Sequence, residues 1–366
     1  MRWIFSILFI GFFFTTQAQT FQATWQKIND LPSELKESSG LVRTAKGTFW
    51  SHGDGGNAAE IYEFDTTGQL LRTLGFYNAT NIDWEDMAQD AQGNIWLGDV
   101  GNNDSDRDNL ALYKIENPAN HDSAKVHVSR LDIVYEDQEI VPSPIGNRNF
   151  DVEGIACFGD SILLITKNRS YPNSGFSKIY WVPAREGQAV AKLIDSIFTE
   201  THIQLGRITG ADYFSASNLL ILTALHQVYT MPFYGGKIEV DSIKRYRFDF
   251  HNNQFESIVM LNANEGYMTA EKPSMLSRFS LIDSDFVYPL HTITKDPAYC
   301  YVSGQTIYFP EVSFSGEIKA YDFMGRCLFE QEFSQVSAVL LPLQTGRVYI
   351  LELVNTDRSV RKIVLE

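Results

Sequence analysis

The sequence predicts an all-β protein built as a β-propeller, and three observations carry that expectation. A short strand-like motif recurs five times, each copy is followed by two further strand-like runs and often by a fourth, and Gly, Asn and Asp punctuate the runs. The copies begin Ser39-Gly40-Leu41, Glu85-Asp86-Met87, Glu153-Gly154-Ile155, Thr209-Gly210-Ala211 and Glu256-Ser257-Ile258. Their unequal spacing implies loops of different length on a common core.

Each start leads into a second apolar run: Thr48-Phe49-Trp50, Ile95-Trp96-Leu97, Leu163-Leu164-Ile165, Leu220-Ile221-Leu222 and Tyr267-Met268-Thr269. A third run carries an aromatic residue, at Tyr62, Tyr113, Tyr180, Tyr229 and Phe279. These rings are expected to pack between neighbouring sheets rather than to form a carbohydrate platform. A fourth, alternating run follows some of them, as in Leu70 to Phe76 and Lys125 to Tyr135. Four strands per copy, stacked radially, bury both faces of every sheet. A β-sandwich is the rival fold, and the fivefold recurrence argues against it. The expected count is five blades, with six as the alternative. The segment Gln22 to Ile28 reads as a strand that completes the last blade and closes the ring, leaving no free edge there.

The ends of the chain carry their own signals. Met1-Arg2 supplies a positive charge, Trp3 to Phe14 is apolar and uncharged, and Thr16-Gln17-Ala18 places small residues before a cut. That pattern reads as a secretory signal peptide over 1-18, and the apolar run is shorter than the roughly 20 residues of a spanning helix. No transmembrane helix is expected. The expected divisions are 1-18 for the signal peptide, 19-296 for the propeller and 297-366 for a small C-terminal β-sandwich.

The formal net charge is −15. Phosphate backbones would repel such a chain, so no nucleic acid is expected as a partner, while cations would be drawn to it. The three cysteines, Cys157, Cys300 and Cys327, follow no zinc-binding spacing. Cys157 reads as core, and Cys300 with Cys327 as a bridge only if their geometry allows one.

Two resemblances add to this reading. Ser38-Ser39-Gly40-Leu41, Asp54-Gly55-Gly56 with Ile61-Tyr62, Asp83-Trp84-Glu85-Asp86-Met87-Ala88 and Gly98-Asp99-Val100-Gly101-Asn102-Asn103 with Arg107 resemble secreted bacterial propellers loosely related to the SdiA-regulated group. The likeness is sharpest over residues 37 to 116, fades after about residue 170 and implies a fold but no shared activity. Ile318 to Arg326, Gly346-Arg347-Val348-Tyr349 and Arg361 to Glu366 resemble a type IX secretion C-terminal sorting domain. Here two residues, Arg347 and Val348, stand where that family usually has one. The resemblance implies the type IX secretion machinery as a partner and a secreted or outer-membrane surface location.

Candidate chemistry follows from the repeat. The innermost strands of a propeller line its axis, so equivalent positions form rings. One ring is Ser39, Glu85, Glu153, Thr209 and Glu256; another, at the ends of the second strands, is Asp54, Asp99, Lys167, Thr223 or nearby His226, and Glu271. Clustered carboxylates repel unless a proton or cation intervenes, and calcium, with its preference for oxygen ligands, is the first cation to consider. Capping or salt-bridging of each Glu is the alternative. Asp104-Ser105-Asp106-Arg107-Asp108 resembles the opening of a calcium loop, but Asn109 and Ile115 stand where an EF-hand needs Gly and Glu. The metal candidates are therefore Glu85, Glu153, Asp99, Asp104, Asp106 and Asp108, with His52 beside Asp54 as a candidate ligand or base.

No HExxH, GxSxG or phosphate-binding glycine loop occurs. The favoured function is an exported binding propeller, calcium-stabilised and of unknown ligand. The alternative is a metal-dependent hydrolase of esters, lactones or phosphates, and a purely structural surface protein is the third reading.

Overall fold

A computed structural model describes residues 20–249 and 253–285, together with strands of the C-terminal part. The signal-peptide expectation and the 296/297 boundary lie outside the described residues. The described chain is all-β apart from the helical turn Ile203–Gly206 and short 3-10 turns.

The fold is a β-propeller built from repeated four-stranded antiparallel units. The first is Ser38–Arg43, Phe49–Gly53, Glu60–Phe64 and Leu70–Phe76. The second is Trp84–Gln89, Ile95–Asp99, Ala111–Ile115 and Ser129–Tyr135, and the third Asp151–Phe158, Ser161–Lys167, Phe176–Pro183 and Gly187–Phe198. The fourth is Ile208–Phe214, Leu219–Ala224, Gln227–Tyr234 and Lys244–Arg247. The last takes Phe255–Asn262, Glu265–Ala270 and Met275–Asp285, and its outer strand is the N-terminal segment Thr20–Asp30. The expected closing strand thus extends beyond Gln22 to Ile28 at both ends. The run Lys125 to Tyr135 is not one strand: Lys125–Val126 pairs with the outer edge of the first unit, and Ser129–Tyr135 belongs to the second.

Local sequence explains the turns. Thr44, Asp65 and Asp90 each precede a glycine by three residues, and in each case the glycine N–H donates to that residue's carbonyl at 3.0 Å. Gly47, Gly68 and Gly93 hold φ of 87°, 78° and 84°, a region closed to most side chains. Asp65 and Asp90 carboxylates also accept backbone N–H groups within the turn.

An apolar core fills each junction between units. Trp50, Ile61 and Leu74 of the first unit pack with Trp84, Leu97 and Tyr113 of the second. Comparable cores join the second to the third, the third to the fourth, the fourth to the fifth, and the fifth back to the first. Tyr62, Tyr113, Tyr180, Tyr229 and Phe279 are all buried in these junctions, as the packing role requires. Each such ring contributes roughly 1.5–3 kcal/mol through burial.

The inner strands neighbour one another around the axis, and polar clasps tie them. The Asp86 carboxylate accepts the N–H groups of Met87 and Ile155 at 2.8 Å and of Ala211 at 3.2 Å, spanning three units. Asp212 accepts from Met260 N at 2.8 Å. Ser39 Oγ donates to Glu85 O at 2.5 Å and Thr209 Oγ1 to Phe255 O at 2.7 Å.

In the C-terminal part, Tyr288–Leu290, Cys300–Ser303, Thr306–Tyr308 and Ala338–Leu340 form one sheet. Phe314–Asp322, Cys327–Val336, Val348–Val354 and Ser359–Leu365 form another. Cys327 is a free, exposed thiol, so no bridge to Cys300 is made, and Cys157 is also free. Among the described residues, no helix is long and apolar enough to cross a membrane.

Candidate metal centre at the propeller axis

One irregularity recurs in every inner strand. The register slips between Ser38 and Leu41, Trp84 and Met87, Val152 and Gly154, Ile208 and Gly210, and Phe255 and Ser257. Each slip falls at the ring position Ser39, Glu85, Glu153, Thr209 or Glu256. A β-bulge re-aims the side chain it carries, and here the three glutamates turn into a common axial cavity of about 230 Å³. Ser39 also borders it, while Thr209 is spent on the Phe255 carbonyl.

The cavity is strongly acidic and divided in two. On one side Glu153 is neutralised: its Oε1 receives Lys167 Nζ at 2.9 Å and Arg169 Nη2 at 2.7 Å. Arg169 also pairs through Nε with Asp151, which further accepts Asn102 N at 2.6 Å. Burial alone would push Lys167 down, but Glu153 and Glu256 outweigh it and hold the ammonium charged.

On the other side Asp54, Asp83 and Glu85 converge, and none of them makes an ion pair with a described residue, although Lys167 attracts Asp54 and Glu85 and Arg107 attracts Asp83 from further off. One oxygen from each lies within 4.8 Å of the others. Asp54 accepts the Gly55 N–H at 2.7 Å. The Asp83 and Glu85 carboxylates receive no hydrogen bond from a described residue, although Glu85 is only 6% exposed. Burial, then Glu153, Asp151 and Asp54, push the Glu85 carboxyl well above its usual range. The same causes, burial first, raise Asp83 to about 6, and Asp54 is raised as well. Glu256 is pushed up to about 8, chiefly by burial.

Two glycines make this convergence fit. A Cβ on Gly55 would collide with Asp83 Oδ1, and one on Gly101 with Asp83 Oδ2 and Glu85 Oε1. Three carboxylates drawn this close, without a direct ion pair to a described residue, suit a hard divalent ion. Ligands at 2.3–2.6 Å from calcium are separated by no more than about twice that distance. A second triad, Glu85, Asp151 and Glu153, is equally compact, but Lys167 and Arg169 already occupy two of its members.

The structure redistributes the other candidates. Glu271 borders the cavity with Lys167 and Asp54. Asp99 does not. It is fully buried, its Oδ1 accepting Arg107 Nη2 at 2.8 Å and the Asp83 backbone N–H at 3.1 Å, so it positions Asp83 instead of facing a ligand. Asp104, Asp106 and Asp108 form no converging carboxylate group. Asp104 pairs with Arg148, and Asn102 Oδ1 gathers the N–H groups of Asp106 and Arg107, so side-chain and backbone partners within the protein organise the loop. His52 is not a cavity ligand. It is fully buried, with Nδ1 2.9 Å from Gly53 O and its ring edge-on to Trp84, and burial lowers it to about 4. His226 is likewise lowered to about 4, by burial first.

Asp83, Asp151 and Arg169 were not singled out as site residues from the repeat. The signal was present: Asp83 and Asp151 each precede a ring glutamate by two residues, and a period of two places both on one face of a strand.

No family model and no curated protein matches the sequence. Among solved structures, the PQQ-bound aldose sugar dehydrogenase of Streptomyces coelicolor is similar at 8% identity and a TM-score of 0.40, over 72% of this chain and 100% of that one. A streptogramin B lyase is similar at 12% identity and a TM-score of 0.35, over 94% and 98%. Nothing about activity follows from likenesses this distant.

Proposed function

We propose that the protein is an exported, five-bladed binding propeller, secreted or held at the outer-membrane surface, whose axial cavity binds a divalent cation, calcium first. The observation that carries the cation site is the Asp54, Asp83 and Glu85 convergence, with Glu85 buried and unpartnered. The export reading rests on the 1-18 leader and on the likeness of 297-366 to a type IX sorting domain.

Millimolar calcium should raise the melting temperature above that in EDTA and above that in matched magnesium. Glu85→Gln should remove most of that rise. Extracellular calcium modules bind at about 10⁻⁴ to 10⁻³ M, and tenfold saturation stabilises by about 1.4 kcal/mol, a shift of a few degrees here. Equal effects of the two ions would reject a specific calcium site. For export, intact mass should show a chain beginning at Gln19, and deletion of 297-366 should leave a folded propeller that no longer reaches the surface. Display of the truncated chain would remove the sorting assignment.

Glu256 favours a second reading, metal-assisted hydrolysis of an ester, lactone or phosphate. It borders the cavity, stands outside the uncompensated triad, and with a pKa near 8 carries a proton at neutral pH that it could give to a leaving group. Turnover of aryl ester, lactone or aryl phosphate substrates with calcium or manganese, lost in Glu256→Gln, would establish it. No turnover on any class rejects it.

A further inference from the structure

The stretch Gly98 to Asn103 with Arg107 stands out in the sequence, yet of these residues only Asn103 borders the axial cavity. The role of the others lies in their hydrogen bonds to the segment that carries Asp83 and Glu85. The Asp83 backbone is held on both sides: its N–H donates to Asp99 Oδ1 at 3.1 Å, and its carbonyl accepts the Gly101 N–H at 3.1 Å. Trp84, between the two carboxylates, pairs with Asp99 in the sheet. Gly101 also backs the Asp83 and Glu85 side chains, since a Cβ there would collide with both. Arg107 holds both of these partners at once. Its Nη2 donates to the same Asp99 Oδ1 at 2.8 Å and its Nη1 to Gly101 O at 2.6 Å. The arginine is itself fixed, with Nε donating to Asn109 Oδ1 at 3.2 Å and its backbone N–H to Asn102 Oδ1 at 3.0 Å. The side chains of Arg107 and Asp99 are 13% and 0% exposed, so water competes little for this pairing.

We propose that Arg107 is a positioning residue of the cation site: by clamping Asp99 and Gly101 it fixes where the Asp83 and Glu85 carboxylates stand, without touching the ion. The inference rests on the cation reading above and names the residue outside the site that sets its affinity. Converging carboxylates repel one another, so the empty site tends to spread unless the chain beneath it is held. The clamp opposes that spreading from the side of the second unit, while Asp54, from the first, is set separately by the Gly55 N–H. The planar fork of arginine reaches a carboxylate and a carbonyl together in a fixed geometry, which a lysine ammonium does not reproduce. Groups that orient metal ligands in this way typically change affinity 10- to 100-fold when they are lost.

Titration calorimetry of calcium into the full exported chain tests this, with terbium luminescence as the second measurement. Terbium stands in for calcium, and its lifetimes in light and heavy water count the waters left on the ion. Arg107→Lys keeps the charge and loses the fork. It should weaken calcium binding about tenfold or more and raise the water count, because a displaced carboxylate yields its place to water. Arg130→Lys, in an arginine of the same unit that pairs with Asp132 and Tyr113, should leave both readings unchanged. Circular dichroism in EDTA checks the fold of each variant; where Arg107→Lys does not fold, Asp99→Asn carries the same test with the same two expected changes. Wild-type calcium affinity in the clamp variant, or weaker binding with an unchanged water count, overturns this inference and leaves the cation reading standing. Failure of the wild-type chain to bind calcium overturns the cation reading first, and this inference with it.

Discussion

Glu256 offers a way to measure the electrostatic load of the axis without touching the triad. Its carboxyl rises from 4.5 to about 8 in the folded chain. Between those values the folded protein holds a proton that the unfolded chain has released. Stability is therefore highest below about pH 4.5, as far as this group decides it, and falls as the pH climbs toward 8. The full displacement, which already includes the attraction of Lys167, is worth at most about 5 kcal/mol, reduced by the part of Glu256 that remains open to the cavity. For a body of this size, 1 kcal/mol shifts the melting temperature by about 2–4 °C. In EDTA, the wild-type protein should therefore melt several degrees lower at pH 8 than at pH 5, and Glu256→Gln should flatten that difference and melt higher than wild type at pH 8. Thermal unfolding followed by circular dichroism at both pH values is the assay. Identical pH dependence in the two proteins would refute the reasoning and place Glu256 as an ordinary ionised partner of Lys167.

Other perturbations separate packing from ligation. Gly101→Ala should weaken calcium affinity about tenfold or more while changing stability in EDTA little, because its Cβ would press on Asp83 and Glu85; isothermal titration reads it. Asp86→Ala strands three buried N–H groups of three inner strands and should cost about 3 kcal/mol or more in urea unfolding. Tyr180→Leu removes a buried ring and its hydrogen bond to Asp137 at 2.8 Å, and should cost about 2–4 kcal/mol in the same assay with calcium affinity unchanged.

The architecture was readable because repetition exposes what single segments conceal. Five starts aligned at Gly40, Asp86, Gly154, Gly210 and Ser257, and the aromatic of each third strand marked the junction it fills. The ring glutamates followed from the same alignment. Partnership was not readable. Nothing in the spacing distinguishes Asp99, bound by an arginine eight residues on, from Asp54, which faces the cavity, because hydrogen bonding across a loop is settled by three-dimensional approach. His52 misled for a related reason: the period of two would put it on the face of Asp54, but the strand Phe49–Gly53 ends before Asp54, so His52 packs against Trp84 while Asp54, in the following turn, borders the cavity. The Asp104 to Asp108 alternation looked like ligation because it resembles a calcium loop locally, yet Arg148, from a distant segment, takes Asp104.

The outer strand Thr20–Asp30 has a consequence for the order of events in folding. Its antiparallel partner is Met275–Asp285, so Asp30 meets Met275 only after nearly the whole body has been synthesised. The leading end cannot complete any sheet by itself, and every earlier intermediate carries an open edge on the last one. Such long-range pairing slows the final step. During that delay the same strand of a neighbouring molecule competes for the vacant edge once protein concentration approaches the tethered strand's effective concentration, on the order of millimolar, so crowding at high expression should yield exchanged dimers whose units are each complete but shared between two chains.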